Sequence, residues 1–532
     1  MPSAPGVRRV FVSCLTVVLL AGVLALLRSA QNQDTSSAKE LIPTKGTVLT
    51  PGTPDTITPK VKDAPRATAA GGECQKLYAE LRQFMDSMPT QLRSIKGDAA
   101  KQLAANVTRH EGLCRDYIEK CASQPSGQVG EVEFIYAKHM QALKLRRQGD
   151  FLAGARTKAA DALRGWLDTY MGEVERLANS AFEKLPEDHP ERPQALQLAG
   201  QAASAAFHHE NAQRHFAKFL RLYPDHAEGH AIQLALARAL FDVGAYEKAV
   251  RVTLEGIEKY DSSVLLPTYG ELLWKIYHAM GDFDGMEECV QRVEELYPVR
   301  LAKPGLAEEA RPGYERFLDF NGFRRGYLHF ARGDFAAARA AFQEHIDRLD
   351  GKEKAFGSLK PESNVYRMRS ADCLSVVEEL AGLPAPAEFN LGEGWITRKH
   401  VRVAESTGKA VAVVFRGVDN ARSAVFLGPL SRFCASRPDI EMVTISYLQG
   451  PESMRKLRDR LNAELGTLDF EGAAGFDPDF EAKQIFRKYH ANVGSATFVI
   501  LNRRGELVWF MQDPRGVDVK FAEKLLTRVA QG

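Results

Sequence analysis

Cysteine is the residue type with the widest chemistry in this chain of 532 residues, and there are seven of them. They lie at positions 14, 74, 114, 121, 289, 373 and 434. No two form a Cys-x-x-Cys motif, and no group of cysteines and histidines has the spacing of a zinc site. The sequence therefore predicts neither a metal nor a cofactor, and any thiol catalysis would need cysteines that are distant along the chain.

Three of the cysteines lie in a predicted helical hairpin, residues 73–125. Apolar residues recur at helical spacing in both halves of this segment. Two antiparallel helices would bring Cys74, at the start, close to Cys121, at the end. In an oxidising compartment we therefore predict a disulfide from Cys74 to Cys121 or to Cys114, with three free thiols as the alternative.

Two histidines, His226 and His230, stand four residues apart, which places them on one face of a helix at a spacing that can hold a metal. Three more histidines precede them, at positions 208, 209 and 215. The segment has the pattern of a helix opening, where such side chains are exposed. We therefore interpret it as a solvated helix end and predict no metal site there.

Residues 130–383 form a helical and repetitive region. Similar triplets are centred on Tyr223, Tyr260 and Tyr297, at intervals of 37 residues. Glycine followed two residues later by Phe or Tyr marks a turn at four places, positions 149, 244, 281 and 333. Glycine suits the left-handed cap that ends one helix and lets the next fold back.

These features resemble tetratricopeptide repeats, in which helix–turn–helix units of about 34 residues stack side by side. The resemblance extends over about Tyr136–Asp350, with an insertion at Val299–Asn321. It implies an α-solenoid of four or five units whose concave face binds protein or peptide partners. A solenoid with a purely structural role is the alternative.

After a Pro-rich boundary at Leu383–Ala387, residues 389–532 alternate between strand and helix patterns, which indicates an α/β domain. The predicted strands are Gly408–Phe415, Asp439–Tyr447 and a hairpin of Ala496–Leu501 with Glu506–Phe510. The predicted helices include Pro451–Leu465, Phe480–Tyr489, which is opened by Phe476–Asp479, and Val517–Val529.

This order resembles the thioredoxin-like fold of envelope thiol–disulfide oxidoreductases and peroxiredoxins, over about Trp395–Gln531. The best matches are Gly408–Phe415, and Tyr489 followed by Ser495–Ile500 and Arg503–Val508. In that family the loop after the first core strand supplies the reactive cysteine, at a helix N-terminus that lowers the pKa of the thiol.

The resemblance implies that redox chemistry is lost in this chain. Asn420 and Ser423 stand at the two cysteine positions, and Ser495 stands where the family has a substrate-docking cis-proline. Neither an amide nor a hydroxyl can form a disulfide, and a cis bond before serine would cost about 3 kcal/mol. The one thiol of this domain, Cys434, lies on an apolar stripe and is interpreted as a core residue.

The N-terminus carries a pattern for export. Arg8 and Arg9 precede an apolar run, Val10–Leu27, of 18 residues. We predict residues 1–30 to be an uncleaved single-pass membrane anchor, or alternatively a cleaved signal peptide, and residues 31–72 to be a disordered Thr/Pro-rich linker. Both versions place the rest of the chain on the exported side of a bacterial cell envelope, either tethered or released into the periplasm.

Taken together, these patterns predict a non-catalytic, envelope-tethered scaffold that binds proteins or peptides through its repeat surface. The alternative is a thiol–disulfide oxidoreductase or peroxiredoxin-like enzyme that uses distant cysteines such as Cys114 or Cys121. In a third interpretation, residues 389–532 only cap the last apolar face of the solenoid. A net charge of +2 without a long basic run argues against nucleic acid as a partner.

Overall fold

A computed structural model describes most of the chain after residue 70. The described residues are 71–87, 98–154, 160–260, 263–304, 306, 308–379, 381, 395–397, 406, 408–417, 421–447, 454–477 and 496–532. They belong to one unit, Ala67–Gly532. Within them the chain is mostly helical and ends in a small mixed sheet, consistent with a helical solenoid followed by a thioredoxin-like domain.

Thirteen of the described helices precede the sheet, and each packs mainly on the helices next to it in sequence, as in a stacked repeat array. They are α1 (Gly71–Ser87), α2 (Asp98–Lys120), α3 (Ser126–Gly154), α4 (Ala160–Lys184), α5 (Arg192–Ala205), α6 (His209–Leu222), α7 (Gly229–Asp242), α8 (Tyr246–Lys259), α9 (Leu266–Met280), α10 (Phe283–Ala302), α11 (Arg311–Ala331), α12 (Phe335–Phe356) and α13 (Pro361–Glu379).

Close packing between neighbouring helices depends on glycines that face aromatic rings. Gly256 of α8 lies against the ring of Tyr269 in α9, and Gly326 of α11 lies against the ring of Phe342 in α12. A Cβ atom at either glycine would overlap the facing ring. Both rings are buried, and each occupies the space that a side chain at the facing glycine would fill.

Three of the four predicted glycine turns are confirmed. Gly244, Gly281 and Gly333 have φ values of 79°, 65° and 77°, the left-handed conformation expected of a helix-ending glycine. The prediction at Gly149 is wrong, because α3 continues through this position to Gly154. A single glycine inside a helix costs only about 1 kcal/mol relative to alanine, so it does not force a turn.

A further turn of the same kind has no glycine and was not predicted. Phe207 lies 37 residues before Gly244, between α5 and α6, and has a φ of 64°. Its ring is 42% exposed and lies 5.1 Å from the guanidinium carbon of Arg164. The left-handed conformation costs an L-residue about 1–2 kcal/mol, so backbone strain is retained at this turn.

We expect Phe207→Gly to be more stable than Phe207→Ala by about 1 kcal/mol, because both variants remove the ring and only glycine relieves the strain. The matched control is Gly244→Ala, which should lower the free energy of unfolding by about 1 kcal/mol. This loss would come from the left-handed backbone and not from a clash, since a Cβ at Gly244 would have no atom within 4 Å. Urea unfolding followed by circular dichroism measures all three. Equal stability of the two Phe207 variants would show that this turn is not strained.

The predicted insertion between the third and fourth repeats, Val299–Asn321, is largely helical. Helix α10 runs past Pro298 to Ala302, and α11 already begins at Arg311. Helix α10 therefore continues past the third recurring triplet, which is centred on Tyr297. The buried ring of Tyr297 packs 5.0 Å from that of Tyr314 and 5.4 Å from that of Phe317, and these tertiary contacts favour a helix that continues through the proline.

The sheet has the strand order β3-β2-β1-β4-β5. Its elements are β1 (Ala410–Gly417), α14 (Ala421–Ala435), β2 (Ile440–Tyr447), α15 (Met454–Thr467), β3 (Ala473–Asp477), β4 (Thr497–Leu501), β5 (Leu507–Gln512), a 3-10 turn (Gly516–Asp518) and α16 (Val519–Gln531). The central strand β1 pairs in parallel with β2 and antiparallel with β4. All eight residues of β1 are buried, as its continuous apolar pattern predicts.

One strand of the sheet was missed by the sequence analysis. Residues Phe476 and Asp477, which were predicted to open a helix, belong to β3, which pairs in parallel with β2. The segment Ala473–Asp477 is short and lacks β-branched residues. Its strand conformation comes from hydrogen bonds to β2, about 30 residues away, rather than from local preference.

None of the helices that the structure describes is long and apolar enough to cross a membrane. The predicted anchor or signal, residues 1–30, and residues 31–70 of the predicted linker lie outside the described residues. The predicted helix Phe480–Tyr489 also lies outside them.

Candidate functional site

The described residues on either side of the predicted redox loop are the carboxyl end of β1 and the first turn of α14. Ser423 lies in this turn, and its side chain is fully buried. The two other predicted positions, Asn420 and Ser495, lie outside the described residues. A buried hydroxyl on the first turn of a helix can donate and accept hydrogen bonds, but it has none of the nucleophilicity of a thiolate.

The thiol of the C-terminal part lies away from this turn. Cys434 is on α14, 11 residues after Ser423, and is 3% exposed. Burial raises the pKa of its thiol to about 12. Burial likewise raises the pKa values of Cys114, Cys289 and Cys373 to about 12. These four cysteines are therefore protonated at neutral pH, whereas a reactive cysteine needs a depressed pKa and access to solvent.

The helical hairpin joins Cys74 to Cys121 in a disulfide that closes a sequence separation of 47 residues. Their Cα atoms are 5.8 Å apart, within the normal range for this bond. Cys114 is a free, buried thiol whose Sγ lies 3.7 Å from Nε2 of His110. The structure thus distinguishes between the two pairings that the sequence left open.

A buried ion pair at the carboxyl end of β1 was not predicted from the sequence. Arg416 follows the apolar run of β1, and its side chain has no exposed surface. Both carboxylate oxygens of Glu464, on α15, lie 2.5 Å from Nη2 of Arg416. The one sequence signal is an arginine at the end of a strand that is otherwise apolar, which marks a charge that must be neutralised inside the fold.

Two more polar side chains lie at the same edge of the sheet. Ser446 is the β2 partner of Arg416, and Thr497 is the β4 partner of Phe415. Both are fully buried, and in the described part of the chain neither hydroxyl has a hydrogen-bond partner. Among the described residues, the carboxyl end of β1 therefore carries an ion pair and buried hydroxyls, and none of these side chains is a thiol.

Two histidines of the repeat region, His208 and His215, both contact the carboxylate of Glu175, whereas His226 and His230 contact the backbone instead. His230 Nδ1 lies 3.0 Å from the carbonyl of Ala227, and His226 accepts a hydrogen bond from the backbone N–H of Glu228. His208 instead lies between two carboxylates, with 2.7 Å from Nδ1 to Glu175 and 2.7 Å from Nε2 to Asp168. No group of three or more potential ligands in the described ranges is arranged to hold a metal ion.

The helical array and the sheet share one apolar core. Phe521 of α16 stacks on His278 of α9, with 4.3 Å between ring centroids, and also packs on Tyr327 of α11. Trp509 of β5 is fully buried, 4.7 Å from Tyr327 and 4.9 Å from Phe330. One continuous cluster of buried side chains runs from α9 through the strands to α16.

Polar contacts accompany this apolar interface. Asp518 Oδ1 lies 3.6 Å from His278 Nδ1, and the hydroxyl of Tyr327 lies 3.1 Å from His278 Nε2. Burial lowers the pKa of His278, although Asp518 acts in the opposite direction. Arg528 of α16 also donates a hydrogen bond to the backbone carbonyl of Arg332.

Comparison with known proteins found similar solved structures but no family. No family model matches the chain, and no curated protein matches it. A thiol:disulfide interchange protein of the thioredoxin family from Chlorobium tepidum is 13% identical, with 28% of this chain and 98% of that chain covered and a TM-score of 0.23. The thioredoxin domain of a thiol-disulfide oxidoreductase from Bacteroides vulgatus is 14% identical, with 28% and 97% covered and a TM-score of 0.23.

A tetratricopeptide repeat protein from Parabacteroides merdae is also similar. It is 15% identical, with 57% of this chain and 100% of that chain covered and a TM-score of 0.22. Similarity of this degree says nothing about the activity of the present chain.

Proposed function

We propose that this protein is a non-catalytic interaction scaffold, tethered on the exported side of a bacterial envelope, in which tetratricopeptide-like repeats carry a redox-inactive thioredoxin-like domain. The observation that carries the proposal is the state of the thiols. Its C-terminal part has one cysteine, Cys434, which is buried and has a pKa near 12, while Ser423 occupies a predicted cysteine position. A domain without an accessible thiolate has no means to exchange disulfides.

The repeats supply the binding surface in this proposal. Stacked helix pairs offer a long surface to a protein or peptide, and the sheet domain contacts them through the rings of Trp509 and Phe521. The scaffold would present both parts as one body. The disulfide between Cys74 and Cys121 suits an oxidising compartment outside the cytoplasm.

A second function is favoured by the same interface. The sheet domain covers apolar side chains of α9 and α11 that would otherwise be exposed on that side of the array. It would then act as a cap for the solenoid, as terminal units of repeat proteins do. Capping and partner binding are compatible, since the cap covers only part of the repeat surface.

The proposal predicts that thiol reagents will not modify the native chain. In a Cys14→Ser background, we expect Cys114, Cys289, Cys373 and Cys434 to react with a chromogenic disulfide reagent only after denaturation, because all four are buried and protonated. The same protein should neither reduce insulin nor consume peroxide above the buffer rate. Rapid modification of one thiol together with turnover in either assay would support the enzyme alternative instead.

A further inference from the structure

His208 lies in the turn between α5 and α6 and joins this turn to α4 through both of its ring nitrogens. Its Nδ1 lies 2.7 Å from Oε2 of Glu175, and its Nε2 lies 2.7 Å from Oδ1 of Asp168. The two carboxylates are on the same face of α4, since their positions differ by about two helical turns. Gly172 lies between them and leaves room for the ring, because a Cβ there would be 3.4 Å from Cε1 of His208. The imidazole therefore lies across α4 with a carboxylate at each end.

This arrangement requires the charged form of the histidine. A neutral imidazole has one N–H donor and one bare nitrogen, whereas an imidazolium has two N–H donors. With a carboxylate oxygen at hydrogen-bond distance from each nitrogen, the neutral ring would set a lone pair against one of the two carboxylates. The hydrogen bond to Glu175 accordingly raises the pKa of His208 above its ordinary value of 6.5, against the effect of burial and with a further contribution from Asp168.

Glu175 is held in the ionised form that this contact needs. Its side chain is 10% exposed, and burial by itself would raise the pKa of its carboxyl group. Hydrogen bonds from His215, His208 and Asn211 outweigh burial and lower that pKa. Nε2 of His215 lies 3.3 Å from Oε1, and Asn211 donates a hydrogen bond to the same oxygen at 2.8 Å. Side chains of the turn and of α6 thus converge on one carboxylate of α4.

The other charged groups around the turn have different contacts. Arg164 of α4 lies over the ring of the phenylalanine that precedes His208. His209 lies 3.6 Å from Asp242 of α7, and Arg214 of α6 donates a hydrogen bond to a neighbouring amide side chain. The last three turns of α5 carry no charged side chain. Among the described residues, the two carboxylates of α4 are therefore the ion-pair partners of His208.

The turn that His208 joins to α4 has a strained backbone. Phe207, the preceding residue, has a φ of 64°. A residue other than glycine keeps such a conformation only where its surroundings impose it. The two contacts of the His208 ring with α4 supply this constraint directly beside the strained residue. Loss of one of them lets the turn move toward a less strained backbone.

We propose that His208, Glu175 and Asp168 form an acid-strengthened latch, which holds the α5–α6 turn on α4 while the imidazole is charged and releases it when the ring loses a proton to solvent. The latch stiffens the repeat array between α4 and α6 in acidic surroundings and lets this part of the array flex as the pH rises. It is a property of the array itself and does not depend on the function proposed above.

The direction of the pH effect follows from the raised pKa. A histidine whose pKa is higher in the folded chain than in the unfolded chain stabilises the fold fully below its ordinary pKa of 6.5. This stabilisation is lost as the pH rises through the pKa of the folded state. The latch is therefore closed in acid and opens at a pH above 6.5.

The test compares the purified full chain with three variants. His208→Gln keeps a hydrogen-bonding side chain that does not titrate. Asp168→Asn changes an exposed residue and leaves one ring nitrogen without a carboxylate. Lys218→Met is the matched control, because Lys218 of α6 is paired with Glu183 of α4 at 2.7 Å and so joins the same two helices. Lysine side chains keep their charge over the pH range of the test, so this pair is not sensitive to pH.

Hydrogen exchange of the backbone amides at the start of α6 is measured at about pH 6 and about pH 8.5, relative to the unfolded chain at the same pH. We expect protection in the unmodified chain to fall about threefold or more at the higher pH. In His208→Gln it should already be low at the lower pH and change little. Asp168→Asn should reduce the pH dependence, whereas Lys218→Met should retain it.

NMR of the histidine rings measures the same proton directly. The signal of His208 is assigned by its absence from His208→Gln, and we expect its pKa to be higher than that of the same residue in the unfolded chain. A pKa at or below the unfolded value would overturn the inference, and so would pH-dependent protection that survives in His208→Gln. If His208→Gln does not fold, Asp168→Asn decides, because an unchanged pH dependence in that variant rules out the latch.

Discussion

Replacing Arg416 with methionine should leave Glu464 as a partly buried carboxylate without its partner and cost about 3 kcal/mol of unfolding free energy. Glu464→Gln should cost at least as much, because the fully buried guanidinium then loses the charge that neutralises it. The double variant Arg416→Met/Glu464→Leu should recover most of the loss, since an apolar pair of similar volume needs no desolvation of charge. The coupling energy between the two substitutions measures the interaction of Arg416 with Glu464.

The measurement is chemical unfolding of the four chains, followed by a probe in the sheet domain such as the fluorescence of Trp509. The matched control is Arg504→Met in the same domain, because Arg504 pairs with Glu506 on the surface and is 78% exposed there. That control should lower the free energy of unfolding by less than about 1 kcal/mol. If both single variants were as mild as the control, the interior of the domain would be wetter than the structure indicates.

Replacing Trp509 with alanine should cost about 3–5 kcal/mol and also loosen the sheet domain from the helices. The indole is fully buried, and its ring lies on Tyr327 and Phe330 of α11 as well as on Phe521. Its Nε1 has no hydrogen-bond partner in the described residues, so its contribution is almost entirely apolar contact. Trp509→Phe should therefore lower the free energy of unfolding much less than Trp509→Ala does.

Hydrogen exchange can separate the loss of docking from the loss of domain stability. Trp509→Ala should increase exchange in the last turns of α11, around Tyr327 and Phe330, because the ring that covers them is gone. Phe510→Ala is the matched control, since alternation along β5 directs this buried ring to the other face of the sheet. Equal exchange of α11 in both variants would mean that Trp509 does not hold the two parts together.

Deleting residues 389–532 should expose the same turns of α11 if the domain acts as a cap.

Local sequence patterns predicted the parts of the fold that depend on local physics. The run Ala410–Phe415 forms the central strand because six consecutive apolar residues have to be covered on both faces. The glycines at 244, 281 and 333 end helices because left-handed backbone is open to glycine at little cost. The same rule could not find the turn at Phe207, where tertiary packing imposes the conformation on a residue that does not favour it.

At the candidate site, too, the sequence predicted what depends on local position and missed what depends on tertiary contacts. The sequence by itself determined that no Cys-x-x-Cys is present and that Ser423 lies at the start of the helix after β1, since both follow from residue identity and position. It could not choose between Cys114 and Cys121 as the partner of Cys74, because the relative register of two helices depends on their packing. It also could not find the pairing of Arg416 with Glu464, residues on separate elements whose distance only the folded chain defines.

The sequence thus determined the order of elements, the repeat period of 37 residues and the absence of a redox motif. The tertiary structure decided how the two parts of the chain meet, because Phe521 and Trp509 look like ordinary core residues of their own domain until the side chains of α9 and α11 are placed against them. Periodicity records which residues avoid water, whereas the partners of a buried ring or charge are set by contacts between residues far apart in the chain.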